Sequence, residues 1–213
     1  MKLKKSFFEN ETPKVARSLI GKVLVKYTHF MGNYFKLSGI ITETEAYGYS
    51  DDPASHAYKK STPRNASMFG EVGRLYIYFI CGNHHCLNIV ARNQHELAGA
   101  VLIRSIEPLK GINLMKLLRK TENIYNLTTG PGRLTQALKI TIKHNNLDVT
   151  DHSINNYFYV EENEHVSQTN RFKISQTIRI GISTGIEKKW RFIMLRQDPN
   201  SLCYQPSKFL SRS

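Results

Sequence analysis

Residues 42–88 bring Glu43, Glu45, Tyr47, His56, Tyr76, Tyr78 and Asn88 into one stretch of chain. A carboxylate near an imidazole and a phenol can activate water while neighbouring groups hold a substrate. Glu45 is the sharpest candidate, because Tyr47 follows two positions later on the same side of a strand and His56 lies on the adjoining loop. The bland alternative is a solvated carboxylate at a strand end. Tyr76 and Tyr78 also share a strand face. That face is either core or a wall on which a base stacks, at about 1–3 kcal/mol per base. The rest of the chain is basic, with 30 Lys and Arg against 17 Asp and Glu, a net charge of +13. Such an excess draws a protein to polyanions by counterion release, so nucleic acid is the leading partner and an anionic membrane surface the second. Phosphate repels carboxylates. Acidic residues set among aromatics therefore point to chemistry on a base rather than to binding alone.

Other clusters carry less. His84 and Cys86 could converge on one strand face while His85 could not, and two ligands make a poor zinc site, so no metal is expected. Gly130-Pro131-Gly132-Arg133 suits a helix start offering N–H groups to a phosphate, but it lacks the Lys-Ser/Thr order of a nucleotide-binding loop. Gly181-Ile182-Ser183-Thr184-Gly185 is too weak for a dinucleotide fingerprint. Cys81, Cys86 and Cys203 are odd in number and lack disulfide spacing, which favours a reducing, cytoplasmic setting. No apolar run approaches the roughly 18 residues that cross a bilayer, and the basic start gives way too early to Glu9-Asn10-Glu11 for a signal peptide.

A single domain of 213 residues can position these groups. Thr12 as cap, Pro13 at the first helical position and Gly21 as stop mark a first helix. Residues 22–26 and 34–44 read as strands joined at Met31-Gly32-Asn33, and alternation puts Ile41, Glu43 and Glu45 on one face. Residues 48–66, rich in Gly, Asp, Pro, Ser and Asn, form a long structured loop. Residues 74–80 and 86–90 make a hairpin, 100–106 a buried strand, and 109–118 a helix with Leu109, Ile112, Met115 and Leu118 at helical spacing. A short helix follows Gly130, a strand spans 157–160, and 176–182 with 190–196 close a sheet. Local runs of strands and helices without regular alternation give an α+β class.

Taken together, the motifs resemble the alkyladenine (3-methyladenine) DNA glycosylase family. They run in order through Glu43-Thr44-Glu45-Ala46-Tyr47, His56, Thr62-Pro63-Arg64-Asn65 with Met68-Phe69, and Leu75-Tyr76-Ile77-Tyr78. They continue through Cys86-Leu87-Asn88, Val101-Leu102-Ile103-Arg104 with Glu107-Pro108, Gly130-Pro131-Gly132-Arg133-Leu134 and Arg179-Ile180-Gly181-Ile182. Each motif is weak alone; the ordered set, covering residues 12–196 or so, is specific. The resemblance implies a single mixed domain, residues 1–213, with a curved, mainly antiparallel sheet and surrounding helices. It implies a monofunctional hydrolase with no metal and no cofactor, acting on damaged double-stranded DNA as a monomer. Glu45 would be the general base for water attacking the sugar C1′, with Arg104 and the main-chain carbonyl of Ile180 helping to hold that water. Tyr47 and Tyr78 would stack on the flipped base, His56 would hydrogen-bond it, and Asn88 would exclude exocyclic groups of normal purines. Cys81 occupies the place where the family commonly carries an aromatic wedge, which implies weaker capture of flipped bases or compensation by Asn83 or His84, the bland alternative being a hairpin that inserts by shape alone.

Two rivals stand beside this reading: a nucleic-acid-binding module without activity, and a glycosidase of free nucleosides. A pure binder gains nothing from a carboxylate beside its ligand, and a neutral nucleoside needs no phosphate-binding surface.

Overall fold

The computed structural model describes residues 1–80, 84–154, 156–164 and 172–196. Its sheet is antiparallel and curled, an α+β architecture built around one long strand. That strand, β2 (Asn33–Tyr47), pairs along one edge with β1 (Val23–Phe30) over its first half and with β8 (Arg191–Arg196) over its second. Its other edge pairs with β5 (Ala100–Lys110), which leads outward to β4 (His84–Val90) and β3 (Leu75–Ile80). Beyond β1 lies β6 (Phe158–Glu161), and β7 (Phe172–Thr177) pairs with β8. Strands β1 and β2 are longer than the expected runs and meet at Met31 and Gly32, both with positive φ, the left-handed geometry of a tight hairpin.

The main core gathers Leu24, Leu37, Ile41, Ala46, Ile103 and Phe192 with Phe8 of α1 (Lys5–Phe8) and the buried faces of α2 (Thr12–Leu19) and α4 (Pro131–Ala137). Val15, Ala16 and Leu19 are the buried stripe of α2, spaced as a helix demands. Thr12 does not cap this helix. Glu11 stands at the cap position and Thr12 is already helical, its hydroxyl donating to the carbonyl of Ala91 at 2.9 Å. The expected helix at 109–118 starts later, as α3 (Ile112–Arg119). Leu109 belongs to β5, because Gly111 at φ +77° makes the break between strand and helix. Residues 178–182 are likewise not strand, since β7 ends at Thr177.

The expected alternation of β2 fails at one point, and the failure matters for the site. Opposite β5, Ile41 pairs with Ile106 and Glu43 with Ser105, which leaves Thr42 as a bulged extra residue. Next, Glu43 pairs with Ser105 and Thr44 with Ile103, so Arg104 is extra on the other strand. A bulge shifts the two-residue period. Ile41 therefore joins Ala46 in the core, and the Thr44 hydroxyl donates to Ala16 of α2 at 2.8 Å. Glu43 and Glu45 point the other way, toward a second, smaller cluster of Ala57, Met68, Tyr76, Val90, Ala98 and Ala100, of which Met68 and Tyr76 line a pocket.

Candidate active site

Glu45 is 0% exposed, and each of its oxygens has its own donor. The N–H of Ile180 donates to Oε1 at 2.8 Å, and the Tyr47 hydroxyl donates to Oε2 at 2.8 Å. Arg104 Nη1 donates to Oε2 as well, at 3.3 Å. Arg104 is itself fixed through its Nε, which donates to Glu43 Oε1 at 2.9 Å, and the same oxygen accepts from Arg191 Nε at 2.6 Å. The paired bulges make this possible by turning Arg104 and the two carboxylates toward one another.

Burial pushes the Glu45 carboxyl above the usual range; Arg104, the Ile180 N–H and the Tyr47 hydroxyl pull it back, and Glu43 adds to the rise. The net direction is up, as suits a carboxylate that must take a proton. Burial and the Glu45 charge drive the Tyr47 phenol upward, so it stays protonated and remains a donor. Burial disfavours the Arg104 cation, yet Glu45 and Glu43 outweigh it and the guanidinium keeps its charge.

Beside this carboxylate lies a pocket of about 130 Å³, lined by Tyr47, His56, Tyr76, Tyr78, Asn88 and Ile182 among others. An apolar cavity of about 150 Å³ takes a benzene ring, so the space suits one flat aromatic group. The rings of Tyr76 and Tyr78 sit 5.3 Å apart with a 36° tilt, and His56 meets Tyr78 edge-on at 4.7 Å. Tyr76 also holds His56, with its hydroxyl 2.9 Å from Nδ1. Burial, reinforced by Arg64, pushes His56 down, so its ring is neutral at pH 7. Burial pushes Tyr76 up to about 12. The Asn88 amide donates to the carbonyl of Tyr76 at 2.9 Å, which fixes its orientation at the pocket wall. Lys59, Lys60 and Arg64 are exposed on the loop that carries His56, and the Arg64 guanidinium lies 5.7 Å from the Tyr78 ring centre.

The residues singled out in sequence thus fall into two adjoining groups. Glu45, Arg104 and Ile180 meet at the carboxylate, and Tyr47, His56, Tyr78 and Asn88 meet at the pocket, with Tyr47 shared. Ile180 meets Glu45 through its N–H, a contact distinct from the water-holding role that the resemblance implies for its carbonyl. Cys81 and Asn83, the expected wedge positions, lie outside the described residues; beside them on β3, Phe79 is 53% exposed. Sequence reasoning missed the Arg191 bond to Glu43, the grip of Tyr76 on His56, and a buried Asp52–Arg179 pair behind the pocket. Only Tyr76 had a local signal, its two-residue spacing from Tyr78.

Comparison with known proteins gives a consistent result. The family model described as methylpurine-DNA glycosylase matches residues 6–198. A protein of Prosthecochloris aestuarii is 43% identical over 187 residues, covering 88% of this chain and 85% of its own. One from Ehrlichia chaffeensis is 42% identical over 192 residues (90% and 92%), and one from Carboxydothermus hydrogenoformans is 40% identical over 194 (91% and 95%). All three carry the provisional name 3-methyladenine DNA glycosylase.

Proposed function

The chain belongs to the methylpurine-DNA glycosylase family, and from that premise we propose that it extrudes an alkylated purine into the aromatic pocket and hydrolyses its N-glycosidic bond with water activated by Glu45. It is a monofunctional DNA glycosylase for alkylated bases; the extrusion and the role of Glu45 are the parts proposed. The observation that carries them is the carboxylate itself. Glu45 is fully buried, fixed at both oxygens and pushed toward protonation, beside a pocket walled by Tyr47, His56, Tyr76 and Tyr78.

A base within the duplex cannot reach such a pocket, so it must be flipped out at a cost of a few kcal/mol. Stacking between Tyr47 and Tyr78 offsets part of that cost, and a cationic methylated purine gains more because electron-rich rings attract it. His56 is neutral, with Nδ1 2.9 Å from the Tyr76 hydroxyl; the tautomer that serves the reaction has Nδ1 accepting from that hydroxyl and the proton on Nε2 as a donor to the base. Asn88, held by Tyr76, limits what fits at the far wall. Glu45 removes a proton from water as it attacks the sugar C1′, and its charge stabilises the positive charge growing on the sugar. The bond to the purine breaks, the purine leaves with the bonding electrons, and an abasic site remains. Arg104 holds the carboxylate in place throughout.

The test is release of free base, with matching abasic sites, from duplexes carrying single 3-methyladenine or hypoxanthine lesions. Undamaged duplex and the free nucleosides serve as controls. Release from lesioned duplex alone supports the reading; binding without release supports an inactive module, and release from nucleosides alone supports a nucleosidase.

A further inference from the structure

Behind the pocket, Asp52 and Arg179 form an ion pair in which both side chains are 0% exposed. They sit on segments without strand or helix, 48–65 and 178–190, and are 127 positions apart in sequence. Arg179 Nη1 donates to Asp52 Oδ2 at 2.7 Å and to the carbonyl of Ala46 at 2.9 Å. Nη2 donates to Asp52 Oδ1 at 2.7 Å and to the carbonyl of Gly185 at 3.2 Å. Asp52 in turn accepts from the N–H of Gly48 at 2.9 Å and of Ala54 at 3.3 Å. The guanidinium carbon lies 4.8 Å from the Tyr47 ring centre and 5.5 Å from that of Trp190.

As a mere staple this pair is a poor choice, because well-packed apolar residues hold two segments at least as firmly as a buried ion pair. What the pair adds is direction. Its bonds reach both flanks of Tyr47, at Ala46 and Gly48, and its cation lies against the ring of Tyr47 itself. The residue next to Arg179 is Ile180, whose N–H meets Glu45. One donor to each oxygen of Glu45, the Ile180 N–H on Oε1 and the Tyr47 hydroxyl on Oε2, therefore traces back to one clasp.

We propose that Asp52 and Arg179 are positioning residues for Glu45, locking the Tyr47 hydroxyl and the Ile180 N–H onto the two oxygens of that carboxylate. This rests on Glu45 being the base inferred above. The charged and titratable groups around Glu45 are Glu43 and Tyr47 on β2, Arg104 on β5, Cys86 on β4, Arg191 on β8 through Glu43, and Arg179 itself. Of the three donors to Glu45, the clasp governs two, the Tyr47 hydroxyl and the Ile180 N–H, while Arg104 is held separately by Glu43. Loosening the clasp raises the pH needed to ionise Glu45 and slows base release below that pH.

The experiment is single-turnover base release from a single-lesion duplex across pH, for wild type, Asp52→Asn and Arg179→Lys, with thermal unfolding and affinity for undamaged duplex measured in parallel. Asp52→Asn keeps the volume and one carbonyl acceptor but removes the counter-charge, whereas Arg179→Lys keeps the charge and loses the two-pronged contact, so the two variants disturb folding by different routes and the folded one is assayed. The expected result is release slowed about tenfold, an acid limb moved up by about half a unit or more, and unchanged affinity for undamaged duplex. A folded variant with the wild-type acid limb overturns the proposal, whether or not its rate or stability falls, because a structural staple alone moves stability and leaves the limb in place. Glu45→Gln separates this from failure of the underlying reading. If Glu45→Gln releases base like wild type, the assignment of Glu45 is wrong; if it does not and the clasp variants keep the wild-type limb, only the positioning role is wrong.

Discussion

Removing one oxygen atom from the site, by Tyr47→Phe, should move the acid limb of base release to higher pH. The Tyr47 hydroxyl donates to Glu45 Oε2 at 2.8 Å, while its ring lines the pocket and lies under Arg179, so phenylalanine keeps the stacking surface and loses the donor alone. A hydrogen bond to a charged group contributes about 1.5–3 kcal/mol. With about 1.4 kcal/mol per pH unit, its loss is equivalent to roughly one to two units in the ionisation of Glu45. Arg104 Nη1, 3.3 Å from the same oxygen, still favours the carboxylate, which places the effect at the lower end, about one unit. The sign is set because the bond stabilises the ionised form: without it Glu45 holds its proton to higher pH. On the acid limb the variant should be about tenfold slower than wild type, and on the alkaline plateau nearly as fast. Single-turnover release from a lesioned duplex at a series of pH values measures this. An acid limb that stays put, or moves to lower pH, would refute the reasoning that Glu45 is the titrating base and Tyr47 its donor.

Other perturbations follow from the same geometry. Arg104→Met removes the strongest influence favouring ionised Glu45, so it should shift the limb further than Tyr47→Phe does; a smaller shift in the same assay contradicts the ranking. Lys26 is 2% exposed on β1, with Lys139 and His144 as charged or titratable neighbours, and burial, aided by Lys139, lowers it from 10.5 to about 8. The folded state thus releases this proton near pH 8 and the unfolded state near 10.5, so stability rises with pH across that window and charging Lys26 costs stability below it. Lys26→Met should flatten that rise and stabilise the protein at neutral pH by an amount on the order of 1–3 kcal/mol, read by denaturant unfolding at several pH values. Affinity for duplex should fall steeply with salt, its logarithm dropping by about 0.9 per neutralised phosphate for each decade of salt, and salt-insensitive binding contradicts an interface built on the net charge of +13.

The parts of the fold legible in sequence were those set by local pattern. Alternation marked the strands, the Gly, Pro and Asn clusters marked the loop at 48–66, and Gly130-Pro131 marked the start of α4. What sequence hid was set by pairing across the sheet. No pattern within β2 reveals that Thr42 bulges, because a bulge is defined by what lies opposite, and here that is Ser105 and Ile106. The consequence was a misplaced Ile41, while Glu43 and Glu45 kept their common face. Leu109 matched the helical spacing of α3 by coincidence, as the strand runs on to Lys110. Thr12 has the residue type of a cap, but the helix begins with it and the cap position falls on Glu11. At the site, single residues with distinctive chemistry were visible, and their supports were not. Arg191 and Arg179 reach Glu43 and Asp52 across 148 and 127 positions of sequence, and an arginine gives no local sign of its distant partner.

The central claim is that Glu45 is the base that activates water. Base release from a single-lesion duplex by wild type and Glu45→Gln, at one moderate salt concentration with duplex binding measured alongside, tests it most directly. Release by wild type should collapse in Glu45→Gln while binding persists or tightens, since removing a carboxylate relieves repulsion of phosphate. Equal release by both proteins would contradict it.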